Sequence, residues 1–294
     1  MTPRRDHLDT LAISLLLGCC LFWGFQQVLI KATLPMVPPL VQACARFGGA
    51  TVLLLLWCAR RRIPLWQRDG TLGAGLLAGL LFALEFICIY IGMQHTTASR
   101  LTIMLYTSPF WVALLLPVWL RHERLGPVQW AGLALAFAGV AFALRDSLTG
   151  VVSWQGDALS LTAGAMWGLT TVVLRTTALA RVSAEKLLFY QVGVSALLLP
   201  LVALALGESF TADYAAMGWL SLGVQAVLGA FLTFLIWMWI ISHYPATKVS
   251  AFAFLTPLSA VMFGALWLGE SITPDLLLAL LGVAAGIFLV NRRR

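Results

Sequence analysis

Charged residues are scarce in this sequence of 294 residues. Asp, Glu, Lys and Arg together make up 11% of the chain, whereas hydrophobic residues make up 61%, and the mean hydropathy is +0.91. A soluble domain carries about 25% charged residues, so this chain lacks the charge that a water-facing surface needs. The scarcity excludes a soluble globular enzyme and a DNA-binding module, and it predicts a protein embedded in a lipid bilayer.

The motifs of several catalytic and cofactor-binding sites are also missing. The sequence has no G-x-x-x-x-G-K-[ST] motif for ATP, no G-x-S-x-G or H-E-x-x-H motif, and no C-x-x-C pair among its five cysteines. We therefore expect no cofactor, no metal, no ATP and no catalytic residues. An intramembrane enzyme and a channel are the alternatives of another class. The sequence shows no charged filter and no re-entrant loop, which argues against a channel.

Ten apolar runs follow one another along the chain. Each is about 20 residues long, the length that a helix needs to cross a bilayer. Apolar segments of this kind satisfy their backbone polar groups internally only as helices, so the fold class is an all-α polytopic membrane protein without a separate soluble domain. The predicted spans are 11–30, 39–58, 71–92, 98–120, 127–145, 156–175, 184–206, 215–241, 247–268 and 275–291.

The basic residues predict how these spans are oriented. If the N-terminus lies inside, fifteen of the 19 lysines and arginines fall on the inner side and three on the outer side. The positive-inside rule then places both termini in the cytoplasm. The same residues form short clusters between spans, such as Arg60 to Arg62, rather than one basic face, which argues against nucleic acid as a partner.

The sequence also repeats itself once. The segment from Trp23 to Lys31 matches the segment from Trp167 to Arg175 at an offset of 144 residues, and further matches follow in the same order. We therefore expect two repeats, residues 1–146 with helices one to five and residues 147–294 with helices six to ten. The further matches pair Arg100 with Lys248, Pro109 with Pro257, Glu123 with Glu270, and Gly139 with Gly286.

An odd number of spans in each repeat inverts the second copy relative to the first. Lys31 accordingly ends its predicted helix outside, whereas Arg175 ends the matching helix inside. Inverted repeats with a site near the bilayer midplane are the architecture of secondary transporters, because the two halves exchange conformations and open the site alternately to each side. The predicted topology therefore favours a carrier.

The Trp-Gly pair in spans one and six, the proline in spans four and nine, and the glutamate after each of those spans resemble the EamA-type repeat of the drug/metabolite transporter superfamily. The resemblance covers the whole chain twice. It implies a ten-helix exporter in a bacterial-type inner membrane, with a central cavity lined by helices one, three, four, six, eight and nine. The aromatic density is most similar to the aromatic amino-acid exporter branch.

That resemblance implies export of small amphipathic metabolites, foremost neutral or aromatic amino acids. Broad-specificity drug efflux and nucleobase-type metabolite efflux are the alternative substrates, and the oligomeric state stays open. Aromatic walls favour flat ligands by about 0.5–1.5 kcal/mol per contact. The predicted substrate-binding residues are Trp23, Gln27, Glu85, Tyr90, Tyr106, Ser108, Trp167, Thr171, Trp237, Trp239 and Phe252.

Two charged residues, Glu85 and Arg46, lie well inside predicted spans, away from the span ends. A charge within the bilayer costs about 2.5–3.5 kcal/mol on insertion scales, so each needs a partner or a role. Glu85 is predicted to couple protons, to anchor a substrate ammonium, or to form a structural ion pair with Arg46. Arg46 can alternatively hold a substrate carboxylate.

Two prolines, Pro109 and Pro257, occupy matching places within spans four and nine. Proline removes a backbone hydrogen bond and kinks a helix. Their symmetric placement predicts gating hinges, with static kinks as the alternative.

Overall fold

The computed structural model describes residues 7–145, 153–211, 213–268 and 274–292, and within these ranges every regular element is a helix. Eight helical spans are long and apolar enough to cross a membrane, and two further apolar helices are shorter. The helices are α1 (Thr10–Thr33), α2 (Pro39–Arg61), α3 (Leu72–Gly92), α4 (Ala98–Leu105), α5 (Ser108–Trp119), α6 (Pro127–Ala143), α7 (Trp154–Thr176), α8 (Ala184–Ala205), α9 (Ala216–Val224), α10 (Phe234–His243), α11 (Ala246–Ala251), α12 (Leu255–Leu268) and α13 (Pro274–Asn291).

Ten spans account for these thirteen helices. The fourth span is α4 followed by α5, and the ninth is α11 followed by a 3-10 turn (Phe252–Phe254) and α12. The eighth consists of α9, a π-helical segment (Gln225–Thr233) and α10. The prediction of ten membrane-spanning helices is therefore confirmed.

Capping side chains explain where several helices begin. Asp9 accepts a hydrogen bond from the backbone N–H of Ala12 at 2.9 Å, and Ser153 and Ser183 make the same kind of contact at the starts of α7 and α8. Each side chain satisfies one of the backbone donors that a helix leaves unpaired at its N-terminus. These side chains therefore fix the residues at which α1, α7 and α8 begin.

The prolines of the fourth and ninth spans lie just after interruptions of the helix. Pro109 is the second residue of α5 and Pro257 is the third residue of α12. The ring nitrogen of proline has no hydrogen to donate, and the start of a helix tolerates that loss. Pro109 therefore follows a two-residue turn between α4 and α5, whereas Pro257 follows a 3-10 turn that joins α11 to α12 with helical backbone angles.

Helix packing follows the expected inverted repeat. The first helix of each repeat packs on the fourth span of the other repeat, so α1 lies on α12 as α7 lies on α5. Likewise, α2 packs on the π-helical segment, and its counterpart α8 packs on α3. Helices that are equivalent in the two repeats also pack on each other, α2 on α8 and α6 on α13. The fold is thus two inverted five-span repeats whose matching helices interlock.

Glycine makes the contact between the first and ninth spans possible. A Cβ on Gly24 would lie 2.7 Å from the backbone nitrogen of Ala260 and 2.7 Å from the carbonyl carbon of Ser259. The matching residue, Gly168, faces the Cβ of Trp111 in α5 at 2.5 Å. The two Trp-Gly pairs found in the sequence therefore place a glycine where each first helix crosses a span that contains a break.

Candidate substrate-binding cavity

A cavity of about 700 Å³ lies between the two repeats. That volume falls in the range of sites that enclose small molecules. Residues on one face of α1 and one face of α3 line it at helical spacing of three or four positions. These lining residues are Trp23, Gln26, Gln27, Ile30, Lys31 and Leu34 on α1, and Phe82, Glu85, Phe86, Ile89, Tyr90 and Met93 on α3.

The cavity reaches one end of the helix bundle. Its lining includes Lys31 and Leu34 at the end of α1, Met93 just after α3, and Leu144 just after α6. Because successive spans alternate in direction, these helix ends lie on the same side of the bundle. Lys31, Leu34 and Met93 are exposed, so the cavity is open at this end. At the opposite side the lining stops at Leu174, directly before the buried Arg175, which closes that end.

Aromatic side chains form one wall of the cavity. The Trp23 ring lies 5.0 Å from the Trp237 ring and 5.6 Å from the Phe234 ring, measured between centroids. The Trp23 indole also donates a 2.8 Å hydrogen bond to the Thr233 hydroxyl at the end of the π-helical segment. The π-helical turn thereby holds the Trp23 ring in one orientation against the eighth span.

A second aromatic pair also joins the two repeats. The rings of Tyr106 and Trp167 meet edge to face with their centroids 5.7 Å apart, and both residues line the cavity. Edge-to-face packing is the favoured arrangement of aromatic pairs. Each repeat thus contributes the tryptophan of its Trp-Gly pair to the cavity.

Arg46 and Glu85 also line the cavity, but no ion pair within 4.0 Å joins them. Both residues are buried, with 4% and 5% of their surface exposed. In the described part of the chain, Arg46 Nε and Nη2 and Glu85 Oε2 have no hydrogen-bond partner. The predicted structural pair is therefore absent from this conformation, and both residues line the cavity with buried polar atoms that lack a partner among the described residues.

The guanidinium of Arg46 is held by two aromatic rings. Its central carbon lies 4.5 Å from the centroid of Phe47 and 4.8 Å from that of Phe86. Such cation–π contacts stabilise a buried cation without using its N–H donors. Phe86 follows Glu85 directly in α3, so the same helix turn supports Arg46 and presents Glu85.

Ten of the fourteen residues predicted for binding, charge or hinge roles line this cavity, and the remaining four lie elsewhere. Trp237 and Trp239 are two positions apart in a helix, so they point in nearly opposite directions. Trp239 instead stacks near His243 at 4.7 Å. The residues that line the cavity are Trp23, Gln27, Arg46, Glu85, Tyr90, Tyr106, Trp167, Thr171, Trp237 and Pro257; Ser108, Pro109, Trp239 and Phe252 do not.

The helix breaks explain why the other three residues lie outside the lining. Ser108 and Pro109 are buried at the start of α5, where the Ser108 carbonyl lies 3.2 Å from the position of a Cβ on Gly168. Phe252 is buried in the 3-10 turn, and its carbonyl accepts a 3.2 Å hydrogen bond from the Cys20 thiol. Both positions serve contacts between spans.

Several lining residues were absent from the predicted binding set. Gln191 is buried in α8, next to Tyr190, the residue that the offset of 144 pairs with Arg46. Phe82 and Phe86 could have been predicted from the helical face that they share with Glu85. The other lining residues outside the predicted set are Gln26, Thr102, Thr170, Phe234 and Thr256.

The closed end of the cavity is sealed around Glu123, which follows α5. Its carboxylate accepts hydrogen bonds from the backbone N–H of Ala246 at 3.0 Å, and from the backbone N–H and hydroxyl of Thr247 at 3.1 Å and 2.8 Å. Arg175, at the end of α7, donates to the same carboxylate at 2.5 Å and to the Ile241 carbonyl at 2.6 Å. Glu123 thereby ties the ends of the sixth and eighth spans to the start of the ninth.

This Glu123 cluster, defined as Glu123, Arg175 and Thr247, is buried throughout. The side chains of Glu123 and Arg175 are 0% and 2% exposed. A second link lies beside it, where the Tyr244 hydroxyl donates to the Asp9 carboxylate at 3.0 Å. Glu270, the residue that matches Glu123 in the repeat, lies outside the described residues.

An ion pair joins the fourth and sixth spans at the opposite end of the bundle. Arg100 donates to both oxygens of Asp157, at 2.5 Å and 3.2 Å, and the Thr96 hydroxyl donates to the same group at 3.4 Å. Arg100 corresponds to Lys248 in the second repeat, and Lys248 Nζ lies 3.2 Å from His7 near the start of α1. Arg100 and Lys248 are equivalent in the two repeats. Each therefore contacts a residue near the start of a first helix, Arg100 at the start of α7 and Lys248 at the start of α1, at opposite ends of the bundle.

A further ion pair lies in the loop between α2 and α3. Asp69 accepts hydrogen bonds from Lys186 at 2.7 Å and from the Thr71 hydroxyl at 2.5 Å. These bonds lower the pKa of Asp69 to about 2, so its carboxylate is ionised at neutral pH. The pair links the two repeats on the side where the cavity is closed.

The fold and the cavity define a class of protein: a polytopic membrane transporter built from two repeats around a central site. The sequence profile of the EamA-like transporter family matches residues 10–145 and again residues 154–292. The chain therefore belongs to the EamA-like transporter family, as the repeat motifs predicted.

The chain is similar over most of its length to curated bacterial transporters. It is 30% identical to the uncharacterized transporter YvbV of Bacillus subtilis, over 93% of this chain and 89% of that protein. It is 28% identical to a probable amino-acid metabolite efflux pump of Escherichia coli, over 91% of this chain and 90% of that protein. These relatives are named as transporters or efflux pumps rather than as enzymes.

A solved crystal structure has the same fold. It superposes on 98% of this chain and on all of its own chain with a TM-score of 0.82, at 16% sequence identity. At that identity the likeness concerns the fold alone.

Proposed function

We propose that this protein is a secondary transporter that exports small amphipathic metabolites, foremost neutral or aromatic amino acids, by alternating access. The observation that carries the proposal is the cavity of about 700 Å³ between inverted repeats, closed at one end by the Glu123 cluster and open towards the other. A carrier needs such a site, reachable from one side at a time.

The lining of the cavity supports an amphipathic substrate. Its aromatic wall (Trp23, Trp167, Phe234 and Trp237) suits an apolar or flat group, and Arg46 and Glu85 suit a charged one. The Escherichia coli relative is named a probable amino-acid metabolite efflux pump, which supports amino acids over drugs or nucleobases. In this proposal the substrate lies between the repeats near the middle of the bundle.

The helix breaks supply hinges for the change of access. We propose that the segments on either side of Pro109 and Pro257 rotate at the interruptions of the fourth and ninth spans. Rotation there would release Thr247 and Ala246 from Glu123 at one end, while the matching helices close the other end. The near-equivalence of the two repeats makes the two conformations similar in energy, which repeated cycling requires.

Counterflow in liposomes tests this function. We expect purified protein to accumulate labelled phenylalanine transiently in liposomes preloaded with unlabelled phenylalanine, with saturable kinetics and no requirement for ATP. Liposomes without protein and liposomes without preloaded substrate are the controls. An unsaturable flux would indicate a channel, and competition by nucleobases or lipophilic cations but by no amino acid would replace the proposed substrate.

The orientation is part of the same proposal. We propose that both termini lie in the cytoplasm of a bacterial inner membrane, which makes the Glu123 cluster the cytoplasmic gate and the described conformation outward-facing. A fluorescent protein fused after Arg294 should then fluoresce, and alkaline phosphatase fused there should be inactive. Phosphatase fused after Gly207, beyond the seventh span, should be active; the reverse pattern would refute the orientation.

A further inference from the structure

Unsatisfied buried polar atoms concentrate in the cavity. Six such atoms in the described part of the chain belong to five residues that line it. A buried polar group without a partner costs about 1–3 kcal/mol, so their gathering at one place points to a bound ligand. The atoms are Gln26 Oε1, Arg46 Nε and Nη2, Glu85 Oε2, Gln191 Oε1 and Thr256 Oγ1.

Two of these residues carry opposite charges. Arg46 and Glu85 interact electrostatically but make no ion pair within 4.0 Å, and the Arg46 guanidinium is packed against the rings of Phe47 and Phe86. Leaving a buried charge without a partner is strongly destabilising. A ligand with one charge would compensate one residue and leave the other uncompensated, whereas a ligand with both charges would compensate the two together.

The geometry points to a zwitterion site: we infer that Arg46 binds the carboxylate and Glu85 binds the ammonium of an α-amino acid. This inference rests on the proposed function, since it assigns the polar half of the proposed substrate. Nε and Nη2 of Arg46 form one edge of the guanidinium, and such an edge binds a carboxylate through two hydrogen bonds. Within the described residues both atoms are buried and without a partner, so the carboxylate must displace the side chains that cover them. The aromatic wall then faces the side chain of the amino acid.

The neighbouring amide of Gln191 fits the same assignment. It lies in α8 next to Tyr190, the residue that the offset of 144 pairs with Arg46, and it is neutral. Among the described lining residues, Arg46 and Glu85 are the charged groups apart from Lys31 at the end of α1, so a ligand without net charge balances the pair. Dicarboxylates and diamines are therefore expected to bind poorly.

Three ligands that share one aromatic ring test the inference. They are phenylalanine, which carries both charges, 2-phenylethylamine, which carries only the ammonium, and 3-phenylpropanoate, which carries only the carboxylate. Displacement of labelled phenylalanine from the purified full-length protein gives the affinity for each. We expect the wild-type protein to bind phenylalanine at least about 10-fold more tightly than either analogue, as loss of a charged hydrogen-bonded contact implies.

Two variants assign each charge to its residue. Arg46→Gln should weaken phenylalanine and phenylpropanoate by about 10- to 100-fold and leave phenylethylamine unchanged. Glu85→Gln should weaken phenylalanine and phenylethylamine to a similar degree and leave phenylpropanoate unchanged. Lys186→Gln and Glu208→Gln, which remove the same charges outside the cavity lining, should leave the ranking of the three ligands as in the wild type.

Contrary results separate this inference from the proposed function. Equal binding of the three ligands by the wild-type protein would overturn the zwitterion site, and this comparison holds even if a variant does not fold. Equal weakening of all three ligands by both variants would indicate a structural role for Arg46 and Glu85. That result would also overturn the zwitterion site. If phenylalanine shows counterflow in either case, the proposed function stands; if no amino acid is bound or transported, the proposed function itself fails.

Discussion

Glu123→Gln is expected to open the closed end of the cavity. The substitution removes the negative charge that faces the buried Arg175, and the neutral amide nitrogen cannot accept the hydrogen bonds from Thr247. Breaking a buried ion pair by removing one partner costs about 3–5 kcal/mol. We expect that loss to shift the protein towards a state in which the Glu123 end is open, and to lower its thermal stability.

Hydrogen exchange of the peptide around Ala246 and Thr247 measures this opening directly. Both backbone amides donate to Glu123, so their exchange should rise by 10-fold or more in Glu123→Gln. Glu208→Gln is a matched control, because Glu208 accepts hydrogen bonds from the backbone of Leu40 and Val41 at the start of α2, without a buried arginine. Unchanged exchange at Ala246 and Thr247 would mean that the cluster does not hold the gate closed.

Gly24→Ala is the second substitution with a large expected effect. The added Cβ would meet the backbone of Ser259 and Ala260, which cannot move without displacing α12 from α1. We expect a lower melting temperature and at least a 10-fold loss of phenylalanine counterflow, because α12 lies directly after the break at the ninth span. Gly168→Ala should cause a similar loss, because its nearest contact, the Cβ of Trp111 at 2.5 Å, moves only with the backbone of α5.

Gly18→Ala is the control within the same helix. Gly18 is exposed, and a Cβ there has nothing within 4 Å. Alanine favours a helix over glycine by up to about 1 kcal/mol, so this variant should be as stable as the wild type or slightly more stable. If Gly24→Ala behaves like Gly18→Ala, the close approach of α1 and α12 does not limit the function of the protein.

The outcomes of these two substitutions bear on the same mechanism from different directions. Glu123 links the ends of three spans, whereas Gly24 sets how closely α1 can approach α12 in the ninth span. A carrier that alternates through hinges at Pro109 and Pro257 should be sensitive to both. Sensitivity to Gly24 alone would place the moving contacts near the helix break rather than at the end of the bundle.

Much of the fold was predictable from periodic and repeated features. Each predicted span boundary lies within three residues of the observed helix boundary, because apolar length is dictated by the thickness of a bilayer. The repeated Trp-Gly and proline positions predicted an inverted pair of five-span units, which the packing of α1 on α12 and of α7 on α5 confirms. What the repeat did not reveal was that Pro109 follows a two-residue turn and that Pro257 follows a 3-10 turn.

The cavity was predictable in part. Trp23, Trp167 and Glu85 stood out as aromatic or charged residues at matching or unusual places, and all three line it. Trp239 and Phe252 had the same residue chemistry but point elsewhere, because the rotation of a helix around its axis depends on its neighbours. Gln191 could not be predicted as a lining residue, because a single glutamine in an apolar span forms no distinctive pattern.

The sequence alone determined that the chain crosses a membrane ten times as two inverted repeats, since apolar length, basic clusters and repeated motifs are local properties. The tertiary structure decided which side chains meet. Glu123 became the centre of a buried cluster because three span ends converge on it, and Arg46 makes no ion pair with Glu85 while two aromatic rings hold its guanidinium. Contacts between distant segments depend on how helices pack, and packing is decided by the whole set of neighbours rather than by any one stretch of sequence.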